Sequence, residues 1–385
     1  MELSVSYNGD LELIEKLSEY KSVAHIFGAT TQNLTGGGRN SEGLSQISRA
    51  EIKQAIELAH ENGIEFNYLM NSSCMGNMEY TQSGYENIKR ELDWICSIGA
   101  DWVTIANPYI VELCRKMNPK IKISLSSFSM VESVQRAVFY DGLGVEEISV
   151  RENINRDFSL LKQMQENTKC RIQVIANQTC LYQCPFQFYH DNVMSHSSQL
   201  NKVDMRTPID YCILNCVYNK FAYPEEIIKS RWIRPDDIGE YEKIGITKFK
   251  ITDRTKSTKW LIRTVKAYDE RRYDGNLADI LNLVQVQNKR ATGKIVQKEN
   301  INLESGKQVR RLMKDYLMLD VNIDNRKLDN FLEHYKKSDC NSISCEKCGY
   351  CKRMADKAIS FPRKEEIKNI LKDMEILKKE SFLEE

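Results

Sequence analysis

The sequence predicts a parallel (β/α)8 barrel of the TIM type, with a cysteine-bearing insertion between its seventh and eighth strands and a small, mainly helical appendage behind it. Three observations carry this expectation. Eight short, β-prone apolar runs alternate with longer amphipathic ones, the pattern of parallel βαβ units. The chain has 385 residues, enough for a barrel of about 250 residues and an accessory segment. The interval between the last two strands is disproportionately long and holds two matched cysteine pairs. A doubly wound open sheet is the alternative closure for the same alternation.

In chain order, strands are expected at 3–6, 23–27, 65–69, 102–105, 121–125, 147–150, 172–176 and 248–251. Helices fall between them. The stretch 48–62 opens with the capping-box pattern Ser48-Arg49-Ala50-Glu51, and 84–98 is a second clear example. In a barrel, the groups that do chemistry sit on the loops that follow the strands. Polar residues gather at those ends: Asn71, Asn107, Ser126, Ser127, Glu152, Asn153, Asn177, Asp253 and Arg254. Loop wetness alone would also place polar residues there.

The seventh strand centres on Val174 and the eighth on Phe249, 75 residues apart (249 − 174). That interval contains Cys180-x3-Cys184 and Cys212-x3-Cys216. Four thiolates form a ligand set for an iron–sulfur cluster or for zinc, and thiolate softness excludes calcium and magnesium. The wide spacing favours a cluster; packing of unligated thiols is the plain alternative. His190 and His196 lie between the pairs, placed to tune or protonate a group there. Arg231, Arg234, Lys250 and Arg254 are cations near the eighth strand and suit a carboxylate substrate. Asp253 could orient one of them or relay a proton. Solvated salt bridges would explain the same residues. His25, inside an apolar strand, is expected to be a satisfied core residue. Gly36-Gly37-Gly38 reads as a tight loop rather than an anion cradle.

Beyond about residue 285 the texture changes. The barrel is assigned to residues 1–285, a polar lysine-rich linker to 286–297 and the appendage to 298–385, with helical stretches at 307–319, 326–335 and 363–379. Between the last two lies Cys340-x4-Cys345-x2-Cys348-x2-Cys351. This set could hold a second iron–sulfur cluster or a structural zinc, either of which would stabilise a segment with little core, or could be unligated thiols. Cys74, Cys96, Cys114 and Cys170 are scattered and read as packing residues.

Composition narrows the function classes. Hydrophobic residues are 41% and charged residues 28% of the chain, ordinary for a soluble globular protein. A net charge of +1 implies no bulk attraction to nucleic acid or a membrane. The first residues do not read as a signal peptide, and no run of about 18 apolar residues occurs. Twelve cysteines without a secretion signal argue for metal ligands in a reducing cytoplasm rather than disulfides. No serine-triad or HExxH zinc-protease motif is present.

The run Asn177-Gln178-Thr179-Cys180-Leu181-Tyr182-Gln183-Cys184-Pro185-Phe186, followed by His190 and Ser195-His196, resembles the cysteine region of peptidase family U32. Cys212-Ile213-Leu214-Asn215-Cys216, the stretch 230–238, Phe249-Lys250-Ile251-Thr252-Asp253-Arg254, and Tyr268, Tyr273, Gly275 and Asn276 extend the likeness across residues 1–285. The resemblance implies a TIM-like catalytic domain with a four-cysteine [4Fe-4S] cluster, carried by position and number to Cys180, Cys184, Cys212 and Cys216. The family was named for collagenase-like proteolysis. Some members instead hydroxylate ubiquinone precursors or RNA bases without oxygen, with prephenate as the implied oxygen donor. This chain departs from the familiar pattern: its first pair is tighter, and the SGRC-like string is absent. The expectation is a cytoplasmic iron–sulfur enzyme for oxygen-independent hydroxylation or a related modification. Its catalytic residues would be Arg234, Lys250, Asp253, Arg254 and His190. Its substrate would be a small or macromolecular organic molecule, joined by a carboxylate co-substrate such as prephenate. The alternatives are a collagenase-like peptidase and a non-catalytic cluster-bearing scaffold or RNA-modification accessory subunit, in a homo- or hetero-oligomer with a similar protein. No membrane partner is expected, and nucleic acid is left open.

Overall fold

The computed structural model describes residues 1–31, 33–41, 44–200, 210–283 and 319–382. The linker expected at 286–297, and all but the last residue of the helical stretch expected at 307–319, lie outside the described residues.

Eight strands close into a barrel in sequence order: β1 (Glu2–Ser6), β2 (Val23–Gly28), β3 (Glu65–Met70), β4 (Trp102–Ile105), β5 (Lys122–Leu125), β6 (Glu147–Ser149), β7 (Arg171–Ile175) and β8 (Lys248–Ile251). All neighbours are parallel, and β8 pairs with β1, Phe249 opposite Leu3, which completes the ring and excludes the open sheet. The helix that follows each of the first six strands starts on a side-chain cap. Helix Arg49–Glu61 has the expected capping box: Ser48 Oγ accepts from the Glu51 N–H at 3.2 Å, and the Glu51 carboxylate accepts from the Ser48 N–H at 2.7 Å.

Each strand sorts its side chains by parity. One set, including Val5, Ile26, Val103, Ile123, Ile172 and Phe249, is buried and apolar, and forms the layer under the helices. The opposite set fills the barrel and is mostly polar, with Phe27, Trp102 and Ile175 among it. Ser4 pairs in register with both His25 and Lys250. Thr104 donates to Asn67 at 2.7 Å, Ser124 to Glu147 at 2.8 Å and Ser149 to Gln173 at 2.6 Å. Barrel interiors are usually filled by branched apolar side chains. Here the interior is a hydrogen-bonded layer with buried ionisable groups, which lies beneath the mouth.

His25 is the core residue the sequence suggested, but it is not satisfied: it is buried and its Nε2 has no hydrogen-bond partner. Burial, with the Lys250 charge adding to it, pushes its pKa down to about 3. Its folded value therefore lies below that of the unfolded chain, about 6.5. Between those values the unfolded chain holds a proton that the folded one does not, so stability falls as pH drops through this window. Between pH 7 and pH 5 wild type is expected to lose about 2 kcal/mol more than His25→Phe. Urea midpoints at the two pH values check this. Equal losses would show that His25 does not set the acid limb.

Residues 319–382 close against the barrel. Trp232 stacks on Phe331, with centroids 5.7 Å apart. The Arg156 guanidinium lies 4.8–5.0 Å from the rings of Trp232, Phe331 and Tyr335, and donates to the Ile228 and Trp232 carbonyls. Lys378, on the last helix (Lys364–Phe382), donates to Asn215 at 2.7 Å. Among the described residues, no helix is long and apolar enough to cross a membrane.

Candidate active site

The C-terminal ends of the strands surround a cavity of about 140 Å³. Strand β8 delivers Lys250 into it directly and Asp253 and Arg254 from the loop that follows. Arg39 enters from the long loop after β2, Arg151 follows β6, and Cys180 follows β7. His190 reaches it from helix Gln187–Ser197.

The cavity carries more positive than negative charge. Burial lowers Lys250 to about 8, against a smaller opposing effect of Glu147. Its ammonium rests 4.4 Å from the Phe27 ring centroid. Burial also lowers Arg254 to about 10, and the like charge of Arg39 adds to this. Among the described residues, no carboxylate stands within ion-pairing distance of either side chain. Asp253 is committed elsewhere. It faces Arg39 and Lys256, each at 3.7 Å, and accepts two hydrogen bonds from Thr255. Burial pushes its carboxyl up, but those partners hold it below the ordinary range. Its backbone is left-handed, φ 99°, a conformation that costs energy for a residue with a Cβ and persists where surrounding contacts fix it.

Arg151 is the balanced cation of the site. Its side chain is 3% exposed, with Asp191 at 2.9 Å and Glu152 at 3.7 Å. Burial raises Asp191 to about 6 despite Arg151. His190 Nε2 lies 3.5 Å from Asp210. The same carboxylate caps helix Tyr211–Ala222 by accepting from the Ile213 N–H at 2.9 Å.

That helix carries Cys212 and Cys216 four residues apart, hence on one face. Cys180 and Cys184 lie on the loop opposite. Cys216 interacts electrostatically with Cys180, Cys184 and Cys212, so the four thiols form one neighbourhood. Burial pushes Cys180 and Cys184 up and Cys212 up to about 12, with neighbouring thiols and carboxylates contributing. Arg151 opposes this at Cys180 and Cys184, and Lys220 does so at Cys184. Among the described residues, no three His, Cys, Asp or Glu side chains converge tightly enough to hold a single ion, so the thiols would close further on a group they bind. The donor set fits an iron–sulfur cluster: four soft ligands, with cations beside them to offset its negative charge.

Two expectations are corrected. Arg234 does not face the mouth. It is buried against residues 325–329, donating to Asn325 at 2.8 Å, to the Leu328 carbonyl and to Asp329 at 3.0 Å. Arg231 likewise turns away, its guanidinium 3.8 Å from the Tyr182 ring centroid. His196 is not among the residues lining the mouth. The glycine run is the tight loop expected: the Gly36, Gly37 and Gly38 amides donate to Asn33, Ser198 and Asn71. Gly36, at φ +78°, lies so close to the Ser195 carbonyl that a Cβ would sit 2.4 Å from it. Sequence reasoning missed Arg39, Arg151 and Asp191. Arg151 immediately follows a strand end and could have been found by that rule; nothing local marks Arg39.

The residue pattern of peptidase family U32 matches residues 27–206. An uncharacterized protease of Methanocaldococcus jannaschii is 30% identical over 309 residues, 80% of this chain and 81% of that protein. A tRNA hydroxylation protein P2 of Bacillus subtilis is 20% identical over 234 residues, 58% of this chain and 73% of that protein. The solved structure of the U32 peptidase Mk0906 aligns with a TM-score of 0.49 at 17% identity, covering 65% of this chain and 91% of that one. Identity sustained over four-fifths of both the chain and its archaeal relative, together with the family pattern over residues 27–206, which include the first cysteine pair, places this chain in peptidase family U32.

Proposed function

We propose that this chain is an iron–sulfur enzyme that modifies an organic substrate by oxygen-independent hydroxylation or a closely related reaction, with a small carboxylate as co-substrate. One observation carries the reading: a single cavity has the candidate cluster ligand Cys180 on one wall and the unpaired cations Lys250 and Arg254 on another. Cys180, Cys184, Cys212 and Cys216 would hold a [4Fe-4S] cluster. When bound, such a cluster supplies one-electron chemistry and a Lewis-acidic iron. Arg254 and Lys250 would bind the carboxylate, the guanidinium in a bidentate manner. Asp253 holds Arg39 at the rim. His190, whose Nε2 lies 3.5 Å from the Asp210 carboxylate, is the group placed to give or take a proton at the mouth. The name of the Bacillus subtilis relative supports a hydroxylation reading and suggests tRNA as one acceptor to try.

The test is anaerobic. Protein made and loaded without air is incubated with prephenate and either total tRNA or phenolic acceptors, and products are read by mass spectrometry. The expected result is a prephenate-dependent product carrying one added oxygen atom, lost together with iron and sulfide in Cys180→Ala and Cys216→Ala. Unchanged iron and sulfide in those variants would reject the cluster assignment. Cleavage of collagen peptides by the same variants at the wild-type rate would support the peptidase reading instead.

A further inference from the structure

We propose that Cys340, Cys345, Cys348 and Cys351 hold a second iron–sulfur cluster, adjoining the first set of thiols but separate from it. The local fold brings these residues together. The short helix Cys345–Cys348, capped by Ser344, ends at Gly349, whose N–H donates to the Cys345 carbonyl at 2.8 Å. Gly349 is left-handed, φ +62°, and the helix Tyr350–Ala358 starts at the next residue. This elbow brings Cys345, Cys348 and Cys351 to the wall of one cavity. Cys340 comes from the preceding loop, and all four line one cavity of about 160 Å³.

The surroundings suit a negatively charged centre. Arg231 is 5% exposed and lines the same cavity, yet its Nε has no hydrogen-bond partner. Among the described residues it forms no ion pair: its guanidinium lies 3.8 Å from the Tyr182 ring centroid, and the carboxylates lining the cavity, Glu225 and Glu346, share that lining with Lys229. A buried cation without a counter-ion is costly unless something negative joins it, and four thiolates around iron and sulfide would supply that charge. The Tyr335 hydroxyl lies 3.2 Å from Cys351 Sγ, and His334 Nε2 lies 3.3 Å from Cys348 Sγ. Polar groups of this kind, just outside the sulfurs, orient ligands and tune a cluster. The spacing favours iron–sulfur over zinc. Three ligands in a C-x2-C-x2-C run match the ferredoxin string, whereas structural zinc takes two separated pairs. The two sets share a wall: Tyr182, between Cys180 and Cys184 in sequence, lines the second cavity and donates to Asn341 at 3.0 Å.

The full-length chain, made anaerobically, is expected to contain about eight iron and eight sulfide, four of each for each four-cysteine set. Cys345→Ser with Cys348→Ser should lose about four of each and retain the rest. If the mouth set binds no cluster, the same variant should fall from about four to none, which supports the second site and rejects the first. Iron unchanged in this variant, or zinc lost in place of iron, overturns the proposal. A readout on the unmutated protein guards against misfolding of the variant. Cys345 is exposed, so a free thiol there would alkylate quickly. Native alkylation followed by mass spectrometry should leave Cys345 unmodified until iron is chelated. Equal labelling before and after chelation overturns the proposal.

Discussion

Replacing Arg254 by methionine is expected to weaken binding of a small dicarboxylate such as prephenate by about 3 kcal/mol, roughly two orders of magnitude in dissociation constant. Arg254 is buried at the mouth, and burial together with Arg39 holds its pKa down at about 10. A bound carboxylate would meet a desolvated guanidinium rather than a hydrated one, where a charge-assisted bidentate contact is strongest. The free variant should be at least as stable as wild type, because the change removes a buried charge that makes no ion pair among the described residues. Lost binding without lost stability separates a ligand site from a structural brace. Lys250 adds a pH signature. Its folded value of about 8 lies below that of the unfolded chain, about 10.4. Without ligand, its contribution to stability is therefore least below pH 8 and rises toward pH 10. Anion binding runs the other way: it is constant while Lys250 is protonated and weakens as pH rises past 8, a fall that Lys250→Met should abolish. Calorimetric titration at pH 7 and pH 9 reads both effects. Undiminished affinity in Arg254→Met, with a lowered unfolding midpoint, would mean that the arginine only braces the rim.

The parts of this molecule legible in sequence are those governed by local pattern. All eight strands announce themselves because each is buried on its helix-facing side and bounded by turn residues. The Ser48 cap needs only residues 48–51. The two C-x3-C pairs are visible because ligand spacing is a local property. What stayed hidden depends on contacts between distant residues. Arg234 and Arg254 look alike in sequence, both cations near the eighth strand. Arg254 lies three residues past the last residue of β8, Ile251 (254 − 251), and so reaches the mouth. Arg234 is captured by Asn325 and Asp329, about ninety residues away. Arg39 reaches the cavity because the Gly36 loop packs on the Ser195 carbonyl, a contact no window around residue 39 contains. The polar filling of the barrel was hidden too. Ser4, Asn67 and Thr104 alternate with apolar residues, as they would in a strand with one face in water.

Arg151→Met is expected to destabilise the fold by about 3–5 kcal/mol at neutral pH, the usual cost of breaking a buried ion pair from one side. Methionine roughly keeps the stem that lies near the Phe128 ring, 5.6 Å from the guanidinium carbon, so the loss would come mainly from charge. Two buried carboxylates would be stranded: Asp191, now 2.9 Å from Arg151, and Glu152 at 3.7 Å. Glu152 keeps a hydrogen bond from Gln187 at 2.9 Å; Asp191 loses its cation. Burial already holds Asp191 up at about 6, above its unfolded value of about 3.9. In that window the folded chain holds the extra proton, so the Asp191 contribution falls as pH rises from 4 to 6. Without Arg151 the folded value climbs further and the window widens upward. The variant should therefore be weakest at and above neutral pH and recover part of its loss near pH 5. Adding Asp191→Asn should restore stability at pH 7, because the stranded charge is gone, and the non-additivity measures the pair directly. Urea unfolding at pH 5 and pH 7 of wild type, Arg151→Met, Asp191→Asn and the double variant completes the cycle. A single variant with the wild-type midpoint at both pH values would show that water, rather than Arg151, solvates these carboxylates.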